Sequence, residues 1–253
     1  MIHSFSSDRV LITGATAGIG AEFARQLAAT GAELVLVARD TARLTAMSRE
    51  LNDAEVLTAD LLTPAGVAAV TARLAASVDP VTMLINNAGY GLAGEFDAND
   101  IEAEMTRHRL LVDVPMRLSH AALQRMLPAA HGIIVNVASV AGFTPRGSYG
   151  AAKAWVLNFS RWANHYYRAR GVTVTAVAPG FVHTEFHDRA KVDPAHIPGW
   201  MWLDAPFLVR SALRDIARGK SVSVPSVRYK LITFLTRFLP DSVVAAGAVT
   251  GRR

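Results

Sequence analysis

Residues 13–20 read TGATAGIG and place glycines at positions 14, 18 and 20. They follow a short apolar run, Val10–Thr13, and precede an amphipathic segment that begins at Ile19. Positions without a side chain let the backbone turn tightly and approach a pyrophosphate, whose charge is then stabilised at a helix N-terminus. The spacing is G-x-x-x-G-x-G rather than G-x-G-x-x-G, and an ordinary strand-to-helix connection is the alternative. The stretch predicts a dinucleotide-binding turn.

The same order of strand and helix repeats along the chain. Apolar, β-branched runs predict strands at Val10–Thr13, Leu34–Ala38, Glu55–Ala59, Met83–Asn86, Ile133–Ala138, Val172–Ala178 and Ser221–Val224. Segments of helical period predict helices at Ile19–Ala29, Thr41–Leu51, Pro64–Ser77, Ile101–Met126, Tyr149–Arg170 and Ala205–Arg218. This alternation predicts an α/β fold, a Rossmann-type doubly wound parallel sheet of about seven strands with helices on both faces. Because no linker interrupts the pattern, we expect residues 1–253 to form a single dinucleotide-binding domain, with ligands beyond the carboxyl ends of the strands.

Composition excludes several classes of function. The 253 residues are 51% hydrophobic and 19% charged and contain no cysteine, which excludes disulfides, iron–sulfur clusters and thiol nucleophiles. No apolar run approaches the ~18 residues of a membrane span, and residues 1–9 lack the apolar core of a signal peptide, so we expect a cytoplasmic protein. The net charge is +5, but the 26 Lys and Arg residues are scattered, so we expect no nucleic-acid partner. We expect no metal site either.

The end of the second predicted strand indicates which dinucleotide binds. A site that selects NAD usually places Asp or Glu there, against the ribose 2′-hydroxyl. Here the strand ends in Arg39, whose guanidinium can pair with a 2′-phosphate, a contact that contributes roughly 1.5–3 kcal/mol. The next residue, Asp40, is explained as the N-cap of the following helix. A solvent-facing arginine is the alternative for Arg39, and we predict a preference for NADP, used as NADPH.

A tyrosine and a lysine share one helix face in the segment Tyr149-Gly150-Ala151-Ala152-Lys153. A free tyrosine has a pKa of about 10 and is a poor acid or base at neutral pH. A cation within hydrogen-bonding range lowers such a pKa by ~1–3 units, into the useful range. Ser139 follows the fifth predicted strand, where its hydroxyl can hold a substrate oxygen, although a helix or turn cap is the alternative.

With these motifs the chain resembles the short-chain dehydrogenase/reductase family. The glycine turn, Asn86-Asn87-Ala88-Gly89, Ser139, Tyr149-x-x-x-Lys153 and Pro179-Gly180 stand in the order of that family, across about residues 8–225. The resemblance implies that Tyr149 is the general acid and base and donates a proton to a carbonyl as hydride arrives from the nicotinamide. It implies that Lys153 lowers the pKa of this tyrosine and binds the nicotinamide ribose. Ser139 would then orient the substrate oxygen.

The resemblance also implies the cofactor site, and Arg39 matches the NADP-preferring branch. The residues expected to bind NADP(H) are Gly14, Thr16, Gly18, Ile19, Gly20, Arg39, Asp60, Leu61, Asn87, Ala88, Gly89, Tyr149, Lys153, Pro179, Gly180, Val182 and Thr184.

Two features depart from the family pattern. Leu111 stands where relatives usually have an asparagine that helps hold a water of a proton relay. Much of that work belongs to the main-chain carbonyl, which leucine also has, so we expect a weakened or rerouted relay. The second departure is the spacing from Ser139 to Tyr149, which is ten residues and shorter than in relatives. We therefore expect this loop to close over the site differently.

The C-terminal third is expected to set the substrate and the partners. Residues 185–207 are rich in bulky apolar side chains and predict a substrate lid; a cluster that packs on its own domain is the alternative. The extension at 226–253 pairs apolar residues with cations, which suits docking on the domain or a partner. Contact with a membrane surface is the less favoured alternative. The family resemblance implies a homodimer or homotetramer, paired through the Tyr149–Arg170 helix and the preceding helix.

These features predict an NADPH-dependent reductase of a ketone or aldehyde, reversible toward the alcohol, with a fairly hydrophobic small-molecule substrate. A 3-oxoacyl-thioester reductase is one alternative. A weakly catalytic NADP(H)-binding sensor or scaffold is another, and the two departures are what favours it.

Overall fold

The computed structural model describes residues 3–184, 197–236 and 238–247. Its centre is a seven-stranded sheet with the order β3-β2-β1-β4-β5-β6-β9, in which every neighbouring pair is parallel. The strands are β1 (Arg9–Thr13), β2 (Glu33–Ala38), β3 (Glu55–Thr58), β4 (Met83–Asn86), β5 (Gly132–Val137), β6 (Val172–Val177) and β9 (Val222–Ser223). The strand order reverses between β1 and β4, which creates a crevice at the carboxyl edge. The predicted doubly wound parallel sheet of about seven strands is confirmed.

Helices cover both faces of the sheet. They are α1 (Gly18–Ala28), α2 (Thr41–Glu50), α3 (Pro64–Ala75), α4 (Ile101–His108), α5 (Val114–Met126), α6 (Gly147–Tyr167), α7 (Ala205–Ala217), α8 (Val227–Leu235) and α9 (Asp241–Gly247). Strand β1 shows why both faces need cover, because Val10 and Ile12 belong to one hydrophobic core and Leu11 to the other. All three are fully buried, and a strand buried on both faces is apolar at consecutive positions.

The predicted helix from Ile101 to Met126 is interrupted. Helix α4 ends at His108, a π-helical turn spans Arg109–Asp113, and α5 begins at Val114. Pro115 gives the physical reason, because it has no N–H to donate to the carbonyl of Leu111 in an α-helical bond. The single-helix prediction was therefore wrong at the turn that carries Leu111.

The segment after β6 forms a second, smaller sheet. Strand β7 (Phe181–Val182) pairs in parallel with β8 (Trp202–Leu203). Most of the predicted lid, residues 185–196, lies outside the described residues. In the part of the chain that the structure describes, no helix has the length and apolar character needed to cross a bilayer.

Candidate active site

A cavity of about 1310 Å³ opens at the carboxyl edge of the sheet. Residues one or two positions after the ends of five of the parallel strands line it: Gly14, Arg39, Asp60, Asn87 and Ser139. Of the residues predicted to bind the cofactor or to act in catalysis, it brings together Gly14, Thr16, Gly18, Ile19, Arg39, Asp60, Leu61, Asn87, Ala88, Gly89, Ser139, Tyr149, Lys153, Pro179, Gly180, Val182 and Thr184. Gly20 is the exception, because it lies behind the cavity wall.

Gly20 permits the close packing that shapes the glycine turn. A Cβ at this position would lie 2.3 Å from the carbonyl oxygen of Gly14 and 2.4 Å from Nδ2 of Asn87. That Nδ2 donates to the carbonyl oxygens of Thr13, at 2.9 Å, and Gly14, at 3.1 Å. The Thr13 hydroxyl in turn accepts the N–H of Asn87 at 2.9 Å. The ends of β1 and β4 are thereby tied together, and the N-terminus of α1 faces the cavity as a pyrophosphate site requires.

Two arginines stand at the far end of the cavity, beside Asp60. Arg39 is the residue predicted from the end of β2, and Arg43, one helical turn later on α2, lines the same cavity. Asp40 accepts the N–H of Arg43 at 3.0 Å and so caps α2, which confirms the explanation given for that residue. The cavity therefore has two guanidinium groups near the end of β2, and Nε of Arg43 lies 3.9 Å from Oδ2 of Asp40. The spacing of Arg43 from Arg39 was the available sequence signal for this second residue.

Lys153 is buried at the other end of the cavity, with 7% of its surface exposed. Its Nζ donates to the carbonyl oxygen of Val137 at 2.7 Å and lies 5.8 Å from the centre of the Tyr149 ring. Burial lowers the pKa of this ammonium from 10.5 to about 8. Ser139 lines the cavity as well, and its Oγ accepts the N–H of Ala141 at 3.2 Å, so the residue is also a cap. A phenol, an amine and a hydroxyl thus line the same cavity, a set that can bind and protonate a carbonyl oxygen.

Sequence reasoning missed a second phenol in the cavity. Tyr90 follows the Asn-Asn-Ala-Gly motif and lines the same space. Partial burial raises the pKa of its hydroxyl, although Arg107 and Arg39 oppose the effect. At neutral pH Tyr90 therefore remains a protonated hydrogen-bond donor.

Sequence reasoning also missed the wall supplied by the C-terminal extension. Helix α8, helix α9 and the link between them contribute Tyr229, Ile232, Thr233, Leu235, Thr236, Leu239, Val243 and Val244. From the predicted lid, Ile197 and Met201 line the cavity, whereas Trp202 stacks on His183 with the ring centres 4.4 Å apart. Trp200 does not line the cavity and is more than half exposed. Apolar spacing in residues 226–244 was the only sequence signal for this wall.

Tyr229 connects the wall formed by the C-terminal extension to the rest of the site. Its hydroxyl donates to the carbonyl oxygen of Met201 at 2.6 Å and accepts the N–H of Phe181 at 3.1 Å. Its ring packs against Gly180, where a Cβ would lie 2.0 Å from the ring carbon Cζ. The Pro179-Gly180 motif and α8 are therefore one packed unit.

Several known proteins are similar to this chain in sequence and in structure. The family model described as short chain dehydrogenase matches residues 8–194. Sulfoacetaldehyde reductase 2 of Chromohalobacter salexigens is 38% identical over 191 residues, which cover 71% of this chain and 75% of that protein. A solved structure of a short-chain dehydrogenase from Sphingobium yanoikuyae, in complex with NADPH, matches with a TM-score of 0.83 and 36% identity, over 91% of this chain and 94% of that one. The bulky-bulky ketone specific alcohol dehydrogenase from Comamonas testosteroni matches with a TM-score of 0.80 and 32% identity, over 92% and 93% of the two chains.

Proposed function

The chain belongs to the short-chain dehydrogenase/reductase family, and from that premise we propose that it uses NADPH to reduce the carbonyl group of a fairly hydrophobic ketone or aldehyde. The observation that carries the proposal is that Tyr149, Lys153 and Ser139 line one cavity, with Lys153 buried beside the tyrosine ring.

The roles follow from the chemistry of these groups. NADPH supplies a hydride when it is bound. Ser139 donates a hydrogen bond to the carbonyl oxygen and orients it, and Tyr149 transfers its phenolic proton to that oxygen as the alcohol forms. The ammonium of Lys153 stabilises the phenolate that this transfer leaves behind. Its bond to the carbonyl of Val137 fixes the amine in place while it does so.

The relay that returns a proton to Lys153 does not require an asparagine side chain. Leu111 is buried in the π-helical turn, and its main-chain carbonyl is the only hydrogen-bond acceptor that this residue has. Any relay at this position runs through that main-chain oxygen rather than a side-chain amide. We therefore expect turnover despite the departure from the family pattern.

The preference for NADPH rests on charge. Arg39 and Arg43 both line the end of the cavity that receives the adenosine ribose, and Asp40 is engaged as a helix cap. A 2′-phosphate beside two guanidinium groups gains charge-assisted hydrogen bonds, which a 2′-hydroxyl does not. The NADPH complex of the Sphingobium yanoikuyae relative supports the same choice.

A hydrophobic substrate is supported by the wall that the C-terminal extension supplies. Ile232, Leu235, Leu239 and Val243 present aliphatic side chains to the cavity. Burial of such surface against a ligand contributes roughly 25 cal/mol per Å² of apolar area removed from water. The bulky-ketone specificity in the name of the Comamonas testosteroni relative is consistent with this wall.

We also propose that the protein forms a homodimer or homotetramer through α6. Trp162 and Tyr166 lie on this helix with 52% and 56% of their surfaces exposed, and their rings stack with centres 5.7 Å apart. Large exposed aromatic rings are typical of protein interfaces. Light scattering of Trp162→Arg tests this: a lower molar mass than that of the unchanged chain is expected, and an unchanged mass contradicts it.

NADPH consumption with a panel of carbonyl compounds tests the enzymatic function. The panel contains bulky ketones, a 3-oxoacyl thioester and sulfoacetaldehyde, and each compound is assayed with the unchanged chain and with Tyr149→Phe. We expect activity on the bulky ketones and a fall of kcat by about 100-fold or more in the variant. Tyr167→Phe, which removes a phenol outside the cavity from the end of the same helix, is the matched control and should retain full activity.

Three outcomes decide between the alternatives. Full activity of Tyr149→Phe contradicts the mechanism. NADPH binding without turnover on any compound favours a sensor or scaffold. Turnover confined to the thioester assigns the chain to 3-oxoacyl-thioester reduction instead of ketone reduction.

A further inference from the structure

A buried ion pair lies against the first turn of α6. Arg107 and Glu104, three residues apart on α4, are 3% and 5% exposed and pair directly. The hydroxyl of Ser148 joins both, because it accepts from Nη2 of Arg107 at 2.6 Å and donates to Oε2 of Glu104 at 2.8 Å. Nδ2 of Asn99 donates to the other carboxylate oxygen at 2.8 Å. We call these four residues the Ser148 network.

The carboxylate of Glu104 remains charged in the network, although burial disfavours its charged form. Burial alone would raise the pKa of Glu104, but hydrogen bonds from Asn99 and Ser148, together with the charge of Arg107, hold that pKa below its usual value. A buried ion pair contributes little net stability compared with apolar residues of similar volume. Removing one partner, in contrast, leaves an uncompensated charge. Such a pair fixes geometry more than it adds stability.

The network holds the first turn of α6, which carries Tyr149, the proposed proton donor. Helix α6 begins at Gly147, so Ser148 and Tyr149 are its second and third residues. The residue at the N-cap position, Arg146, makes no side-chain cap hydrogen bond to this turn. The first N–H groups of a helix have no partners within the helix, and a helix start without a side-chain cap is about 1 kcal/mol less stable than a capped one. The hydroxyl of Ser148 therefore anchors a turn that lacks the usual side-chain cap.

We propose that the Ser148 network is a positioning device that holds Tyr149 in register with Lys153. The loop from Ser139 to Tyr149 is short, and α4 supplies through Arg107 and Glu104 a second support for the turn that follows it. Ser148, Arg107 and Glu104 are positioning residues, since they act through the backbone of Tyr149. The proposal rests on the proposed function of Tyr149.

Ser148→Ala is the variant that tests it. A displacement of about 1 Å in a reacting group costs about 10- to 100-fold in rate, so we expect kcat for carbonyl reduction to fall in that range. The dissociation constant for NADPH should stay within about threefold, because Ser148 does not line the cavity. The alkaline limb of the pH profile of kcat should move to higher pH, since a phenol farther from Lys153 holds its proton more tightly. Ser148→Thr keeps the hydroxyl and should restore both kcat and the profile.

Ser160→Ala is the matched control. Ser160 is fully buried on the same helix, and its hydroxyl donates to the carbonyl oxygen of Val156 at 2.8 Å and accepts from Asn136 at 3.0 Å. This variant should lower the melting temperature without moving the pH profile. If Ser148→Ala does not fold, Glu104→Gln serves instead, because it removes the charge and keeps the volume. The same fall in kcat and the same shift of the profile are expected for it.

The two proposals fail in different ways. Wild-type kcat and an unmoved pH profile in Ser148→Ala, with Tyr149→Phe inactive, overturn the positioning role and leave the proposed function intact. An equal shift of the profile in Ser160→Ala also overturns the positioning role. Full activity of Tyr149→Phe overturns the proposed function itself.

Discussion

Replacing Lys153 by methionine removes a buried ammonium whose effect on stability depends on pH. In the folded chain burial lowers the pKa of Lys153 from 10.5 to about 8. Below pH 8 the amine is charged in both the folded and the unfolded chain, and the folded chain bears the full cost of burying that charge. Between pH 8 and 10.5 the folded chain has released the proton and the unfolded chain still holds it. The free energy of unfolding must therefore rise with pH across this window.

The size of the rise follows from the same pKa values. A tenfold change in proton affinity corresponds to about 1.4 kcal/mol, so a pKa lowered from 10.5 to about 8 corresponds to about 3 kcal/mol. Lys153→Met has no such group. The difference in free energy of unfolding between the unchanged chain and this variant should grow by about 3 kcal/mol in favour of lysine from pH 7 to pH 10.5.

Denaturant unfolding followed by the fluorescence of the four tryptophans measures this difference. Because Tyr149 also carries an ionisable phenol and its ring lies beside Lys153, both chains should carry Tyr149→Phe, so that only the amine differs. A difference that stays constant within about 1 kcal/mol from pH 7 to 10.5 would refute the reasoning. It would mean that the amine is hydrated in the folded chain.

Three further substitutions probe other parts of the cavity. Gly20→Ala places a Cβ 2.3 Å from a backbone oxygen and should lower the free energy of unfolding by about 1–3 kcal/mol in denaturant titrations. At Gly199 a Cβ meets no atom within 4 Å, so the control Gly199→Ala should change the free energy of unfolding by less than about 0.5 kcal/mol. Tyr229→Phe removes the hydroxyl that bonds to the part-buried N–H of Phe181 and the carbonyl of Met201, and it should lower the free energy of unfolding by about 0.5–1.5 kcal/mol. The KM for the carbonyl substrate should rise in steady-state kinetics, and an unchanged KM contradicts the role of Tyr229 in holding the wall. Arg39→Asp should shift the ratio of kcat/KM for NADPH to that for NADH by about 10- to 100-fold toward NADH. The control Arg49→Asp, on the exposed side of α2, should leave this ratio unchanged. An unchanged ratio in Arg39→Asp contradicts NADPH selection.

The sheet could be predicted from the sequence because burial on both faces leaves a strong local signal. In β1 the consecutive residues Val10, Leu11 and Ile12 are all apolar, and each is needed to fill one of the two cores. The interruption of the helix over 101–126 could not be predicted in the same way. The apolar period continues through Arg109–Asp113, and the only local sign of a break is Pro115, a residue that also occurs at helix starts.

The cofactor end of the site could be predicted because its residues come one or two positions after the ends of strands. Position after a parallel strand decides the location of Arg39, Asp60 and Asn87 before any side-chain contact is known. The apolar wall has no such rule. Tyr229 reaches the Pro179-Gly180 motif across 49 residues of sequence, and only the packing of α8 in three dimensions brings the two together.

The Ser148 network is the clearest case of a feature that the sequence marks without explaining. The short spacing from Ser139 to Tyr149 signals an altered loop, but it does not say which element supports the tyrosine. Arg107 and Glu104 lie 41 and 44 residues before Ser148, and on a helix surface such a pair is ordinarily solvated. Here α4 places them against α6, where both are buried, so the same i, i+3 spacing has a different physical meaning. A short loop is therefore compatible with an ordered tyrosine, because a neighbouring helix also holds the turn that carries it.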